Sequence, residues 1–289
     1  MDRLEPRLVP LAWATLVANA TLVVTGGAVR LTASGLGCPT WPRCTFNSMT
    51  PETDELTIHA AIEFGNRLLT FVLVAIAVAT VLAAWRSPTI GVRRLSVVLA
   101  LGIPAQAILG GVTVLTDLNP WVVSGHLLVS LAIIGLAVLL LRRLGVGGPI
   151  PQEPGASRLG TLAWATFAAT WVVLYLGTVV TGSGPHAGDP DSPRNGLDPQ
   201  QFSQLHADAV FLLVGLTLGL VLALRASGGA PLALRAAVAL LVIELAQGAI
   251  GFVQYYTDLP ILLVGLHMLG AALISASVTW TLIRVREGA

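Results

Sequence analysis

Apolar runs long enough to cross a bilayer alternate with short polar segments along the whole chain. A helix needs roughly 20 apolar residues to span the hydrocarbon layer. That length is reached at Leu8–Val29, Ile58–Trp85, Leu95–Leu115, Trp121–Leu141, Leu159–Thr181, Phe202–Leu224, Leu232–Tyr256 and Ile261–Ile283. The pattern predicts an all-α polytopic membrane protein with eight transmembrane helices. Two long polar loops interrupt it, Arg30–Thr57 and Gly182–Gln201, each entered through a Val-Thr-Gly at Val24–Gly26 and Val180–Gly182. A third polar stretch, Arg142–Arg158, carries Gly147-Gly148-Pro149 and Pro151 and reads as a linker.

The second half repeats the first. Gln106 and Gly110 lead to Thr116-Asp117-Leu118 and then His126, while Gln247 and Gly251 lead to Thr257-Asp258-Leu259 and then His267, all at one constant offset. Two units of four helices share one orientation, which implies a parallel repeat about an axis along the membrane normal. The expected division is residues 1-145 as an N-terminal four-helix bundle, 146-158 as linker and 159-289 as a C-terminal four-helix bundle.

Composition agrees: 55% of residues are hydrophobic and 11% charged, against about a quarter charged in soluble domains. A net charge of +1 argues against a nucleic-acid partner. The first apolar run is of spanning length and lacks a small-residue cleavage site, so it reads as a span rather than a signal peptide. All basic residues are Arg. Arg3, Arg7, Arg86, Arg93, Arg94, Arg142, Arg143, Arg158, Arg225, Arg235, Arg284 and Arg286 fall at one end of the helices. Arg30, Arg43 and Arg194 fall at the other, among Glu52, Asp54, Glu55, Asp189, Asp191 and Asp198. The asymmetry predicts a multi-pass protein of the cell membrane with both termini cytoplasmic and the two long loops outside.

Ionisable residues inside spans mark the candidate chemistry. His59, His126, His206 and His267 all sit near the start of even-numbered spans, at one depth. No His-Glu-x-x-His or Cys-rich cluster suggests zinc, whereas histidines on separate helices suit haem iron. His206 and His267 form a pair in the second unit. In the first, His126 matches His267, but His206 falls on Asn66, a poor iron ligand; His59 stands seven residues earlier. The site in the first unit therefore uses His59 or holds haem by one histidine. Glu63 shares a helical stripe with His59 and Asn66, with Arg67 one turn on as a possible ion-pair partner. Asp208 and Glu244 receive no catalytic role, and His186 reads as a loop residue at most near a haem edge. Cys38 and Cys44, in an outer loop, are expected to form a disulfide, either a structural staple or a redox pair.

These residues resemble the haem A synthase family. The matching features are Gly35-Leu36-Gly37-Cys38, Trp41-Pro42, Cys44, the run Ile62–Arg67, Gln106–Gly110, His126, His206 and the Gln247–His267 stretch. The resemblance implies oxidation of a ring methyl of haem O to the formyl group of haem A by successive hydroxylations, with water as the oxygen source. It implies haem b on His206 and His267, substrate haem on His126, Glu63 as the catalytic carboxylate and Cys38–Cys44 as the loop disulfide. It also implies partners: a farnesyltransferase that makes haem O, and cytochrome oxidase assembly factors. Two departures stand out. Asn66 replaces the family's usual His, and the later loop, 182–201, has no second cysteine pair.

Two other readings use some of the same residues. A di-haem cytochrome that only moves electrons needs bis-His ligation in both halves and has no use for Glu63. A repeat-built transporter explains the symmetry but leaves the histidines and the cysteine pair idle.

Overall fold

With no water in the hydrocarbon layer, each backbone N–H and C=O must be satisfied within its own segment, which leaves the helix as the solution for these apolar runs. The computed structural model describes residues 5–51, 57–149, 158–228 and 230–288. Arg3, the acidic run Glu52–Glu55 and residues 150–157 of the expected linker lie outside them. Among the described residues there are eight helices: α1 (Glu5–Leu31), α2 (Ile58–Ala84), α3 (Ile90–Leu115), α4 (Pro120–Arg143), α5 (Arg158–Ser183), α6 (Pro199–Ala226), α7 (Pro231–Tyr256) and α8 (Ile261–Gly288). All eight are long and apolar enough to cross a membrane, and the chain is a multi-pass membrane protein.

Several helices outrun the apolar spans. α3 starts at Ile90 rather than Leu95, and α8 continues past Ile283 to Gly288, because helical geometry persists beyond the strictly apolar core. Helix starts are fixed by local chemistry. The Thr57 hydroxyl caps α2 by accepting from Ala60 N at 3.1 Å. Asn119 caps α4 through Trp121 N at 3.0 Å, and Asp198 caps α6 through Gln201 N at 2.7 Å. Pro120, Pro199 and Pro231 occupy first turns, where no N–H is missed.

Helices α1 to α4 form a closed ring in which each packs on the next and α4 returns to α1. Helices α2 and α4 face each other across that ring without direct backbone contact. The same arrangement holds for α5 to α8, with α6 and α8 across the ring. The rings join through α4 and α8, flanked by the equivalent contacts α4–α5 and α8–α1. At this seam Val23, Leu131, Ile134, Leu174 and Ala272 form one buried cluster. The Ser275 hydroxyl donates to the Leu131 carbonyl at 2.7 Å, and Gly135 leaves room for the side chain of Thr279, the small-residue packing expected of membrane helices. Phe71, Leu82, Leu101, Phe211, Leu222 and Val242 project outward, an arrangement that suits lipid.

The repeat extends to the backbone. Asp117-Leu118 and Asp258-Leu259 all adopt positive φ, between 51° and 58°, and in both copies the Leu amide bonds back into the preceding helix, to Thr113 O and Gln254 O. Left-handed backbone costs non-glycine residues roughly 1–2 kcal/mol each, so the matched turns are specified features.

At the linker end the two rings are tied by charge. Arg142, 2% exposed, donates to Glu287 Oε1 at 2.6 Å and to the Gly148 and Pro149 carbonyls. Arg284 holds Glu287 Oε2 at 3.0 Å and the Gly147 carbonyl at 2.8 Å. The start of the linker is thus pinned to α8. Arg142→Met strands those acceptors and is expected to lower unfolding free energy by roughly 3 kcal/mol. Thermal melting in detergent would read this directly, and an unchanged melting temperature would refute the staple.

Candidate functional site: glycine-backed histidines and a disulfide loop

The loop from Thr32 to Pro51 closes over the mouth of the first ring, and its shape is set by α2. Cys38 and Cys44 form a disulfide with an S–S distance of 1.97 Å. Glu63, 5% exposed, accepts the Cys38 amide on Oε2 at 2.7 Å. Its Oε1 receives Arg67 Nε at 3.1 Å and Nη2 at 2.5 Å. Arg67 donates onward to the Cys38, Thr40 and Arg43 carbonyls. The i, i+4 partnership expected from the sequence is present, and the pair grips the loop. A carboxylate met by an arginine and a backbone N–H can remain charged in a site where an isolated one would not. The Trp41 ring lies against Gly111 of α3, and Gly37 sits tight on the His59–Ala60 backbone; any side chain at either glycine would lift the loop.

Three histidines, one in the first ring and two in the second, share one local design. His126 and His267 are the seventh residues of α4 and α8, and His206 is the eighth of α6. Each ring packs on a glycine of the preceding helix: His126 on Gly110, His206 on Gly177 and His267 on Gly251. An added Cβ would stand only 3.2 to 3.5 Å from the imidazole Cε1 atoms. The Nδ1 atoms of all three are shielded and lack a close hydrogen-bond partner in the chain, the His206 ring lying nearest the Val173 backbone. His206 and His267 also lie within electrostatic reach of each other. A shielded nitrogen without a partner costs about 1–3 kcal/mol, and three such nitrogens at one depth fit residues that bind a ligand. Imidazoles on helices facing across a ring have the donor chemistry that haem iron takes.

The fourth corner differs. Asn66 stands at the position matching His206, and its Oδ1 accepts from the Thr25 hydroxyl of α1 at 2.8 Å. His59 is exposed, and its Nδ1 meets the Ser34 hydroxyl at 3.0 Å, within the loop. The first unit therefore has one histidine of the Gly-backed kind, where the second has two.

The remaining candidates sit apart. Glu244, 2% exposed, accepts from Thr217 at 2.9 Å. Asp208 is exposed beside Gln204. The His186 ring is paired with the Leu259 carbonyl at 2.9 Å, and its own carbonyl accepts from Arg30 at 2.6 Å, so the second loop is fastened to α1 and to the α7–α8 turn. Sequence reasoning missed Gly177 and Thr25. Thr25 lies within the first Val-Thr-Gly without a role assigned to it, and Gly177, three residues before the second, belongs to a helix with no histidine to draw attention to it.

Residues 10–188 match the family model described as cytochrome oxidase assembly protein. The chain is also similar to proteins named "Heme A synthase". It is 30% identical to the one from Bradyrhizobium sp. strain BTAi1 over 217 residues, 61% of this chain and 59% of that protein. It is 30% identical to that of Symbiobacterium thermophilum over 215 residues, 70% and 69% of the two chains. It is 27% identical to that of Staphylococcus epidermidis strain RP62A over 212 residues, 67% and 68%. The match spans 59% and 56% of the lengths of the two Bradyrhizobium relatives. With a family model covering well over half of its residues, the chain belongs to the cytochrome oxidase assembly protein family.

Proposed function

We propose that this protein is a haem A synthase, oxidising one ring methyl of haem O to a formyl group. The observation that carries the reading is the inequality of its two rings. The second offers two glycine-backed histidines, while the first offers one, opposite Asn66 and under the loop held by Glu63. A di-haem cytochrome that only moves electrons needs bis-His ligation in both halves, whereas an enzyme that acts on one haem with the help of another has a use for two different sites.

In this reading the 159-289 unit holds haem b through His206 and His267, and the 1-145 unit takes haem O through His126. Bound haem b would supply reversible one-electron chemistry at the side of the substrate unit. Turning a methyl into a formyl takes up one water oxygen and releases four electrons and four protons. Glu63 is the carboxylate placed to receive protons and to stabilise positive charge developing at the reacting carbon. Arg67 and the Cys38 amide position it. The haem carboxylates, costly in hydrocarbon, face the loop end. The reacting methyl is a ring neighbour of one of them, so that pose brings it to the Glu63 side.

The distribution of arginines supports a cytoplasmic linker end, with the disulfide loop outside the cell membrane. The partners are then a haem O-producing farnesyltransferase on the supply side and cytochrome oxidase assembly factors on the delivery side.

Glu63→Gln keeps an acceptor for the Cys38 amide but removes the charge. Turnover of haem O is expected to fall by about 100-fold or more, with haem O still bound. A purely structural Glu63 would instead lower thermal stability and leave turnover per folded protein intact.

The substrate haem is expected to be five-coordinate and high-spin, because Asn66 Oδ1 is engaged by Thr25. Asn66→His should convert the spectrum to six-coordinate low-spin. A low-spin substrate haem in the unaltered protein would contradict this and bring His59 to the iron.

A further inference from the structure

One turn from Gly110 towards the linker end, Gln106 carries a further unsatisfied atom of the first ring. Its amide nitrogen donates to the His126 carbonyl at 3.1 Å and makes a short hydrogen bond to the Ser130 hydroxyl. A backbone carbonyl can only accept, so the nitrogen must face it and the free atom is the amide oxygen. That Oε1 is shielded and has no partner. The amide is therefore locked with a bare acceptor about 6 Å deeper than Gly110, the residue beneath the His126 ring.

The second unit provides an internal comparison. Gln247 is the repeat counterpart of Gln106, but the counterpart of Ser130 is Ala271, which has no hydroxyl. Gln247 lies instead across Gly270, where any Cβ would collide with its amide. The locked acceptor thus belongs to the first unit alone.

We propose that Gln106 Oε1, held by Ser130, accepts a hydrogen bond from the hydroxyl on the farnesyl-bearing side chain of haem O, and so selects haem O over haem B. This rests on the synthase reading above. With the carboxylates at the loop end, the opposite edge of the porphyrin faces inward, towards the depth of Gln106. Vinyl and methyl groups on that edge have no hydrogen to donate. The side-chain hydroxyl does, and in hydrocarbon it needs an acceptor. Haem B carries no such hydroxyl, in keeping with the unlocked glutamine of the second unit.

The test is a spectroscopic titration of haem O and of haem B into protein purified from cells that make no haem O. Bound haem b in the second unit reports folding. Gln106→Leu is expected to weaken haem O by about tenfold and to leave haem B unchanged. Leu is apolar and would not impair packing of the farnesyl chain. Ser130→Ala, which frees the amide to rotate, should give a smaller loss in the same direction. Equal weakening of both haems, or no change in either, overturns the proposal while the synthase reading stands. If the unaltered protein fails to take up haem O at all, the synthase reading itself falls.

Discussion

Inside a bilayer a polar atom has no water to fall back on, so each one finds a partner in the chain or in a ligand, or it costs stability. That constraint sorts this protein into scaffold and site. Arg142 and Arg284 are consumed by Glu287 and the linker carbonyls, Arg30 by the second loop, and Glu63 by Arg67 and Cys38. These contacts bind the rings to each other and the loops to the rings. Among the shielded polar atoms left without a partner are four that bear on the site, the Nδ1 atoms of His126, His206 and His267 and the Oε1 of Gln106. Three of those four belong to the Gln–His stretch that occurs twice in the sequence.

Duplication explains the architecture, and the broken symmetry explains why one chain would carry two copies. The α4–α8 seam, the matched Asp-Leu turns and the Gly110–His126 and Gly251–His267 pairs are shared by both units. Asn66 with Thr25, Ser130 with Gln106, and the disulfide loop with Glu63 belong to the first alone. Every one of those differences lies in the ring assigned to the substrate. The second ring keeps the plainer design suited to a resident cofactor.

Much of this was legible in the sequence because hydropathy and repetition act over long stretches. All eight spans, the two loops and the repeat could be read from runs of apolar residues and the constant Gln-to-His offset. The Glu63–Arg67 pair was visible because i and i+4 are neighbours on any helix. What Glu63 grips was not, since the Cys38 amide reaches it only when the loop folds back over α2. The bond between Asn66 and Thr25 was hidden for the same reason: it joins two helices, and neither residue is unusual in its own span. Gly177 was missed because a glycine in a membrane helix gives no hint of the ring that will rest on it. Span ends moved by several residues at α3 and α8, where arginines begin or end a helix that hydropathy alone would trim.

The decisive experiment is to purify the protein from cells supplied with haem O, record its absorption spectrum, and separate the extracted pigments by chromatography. Two unequal sites predict haem b together with haem O or haem A in the same protein, with a low-spin and a high-spin component. Two equivalents of haem b per chain, both low-spin and with no haem O or haem A, would contradict that division and make the protein an electron-transfer cytochrome.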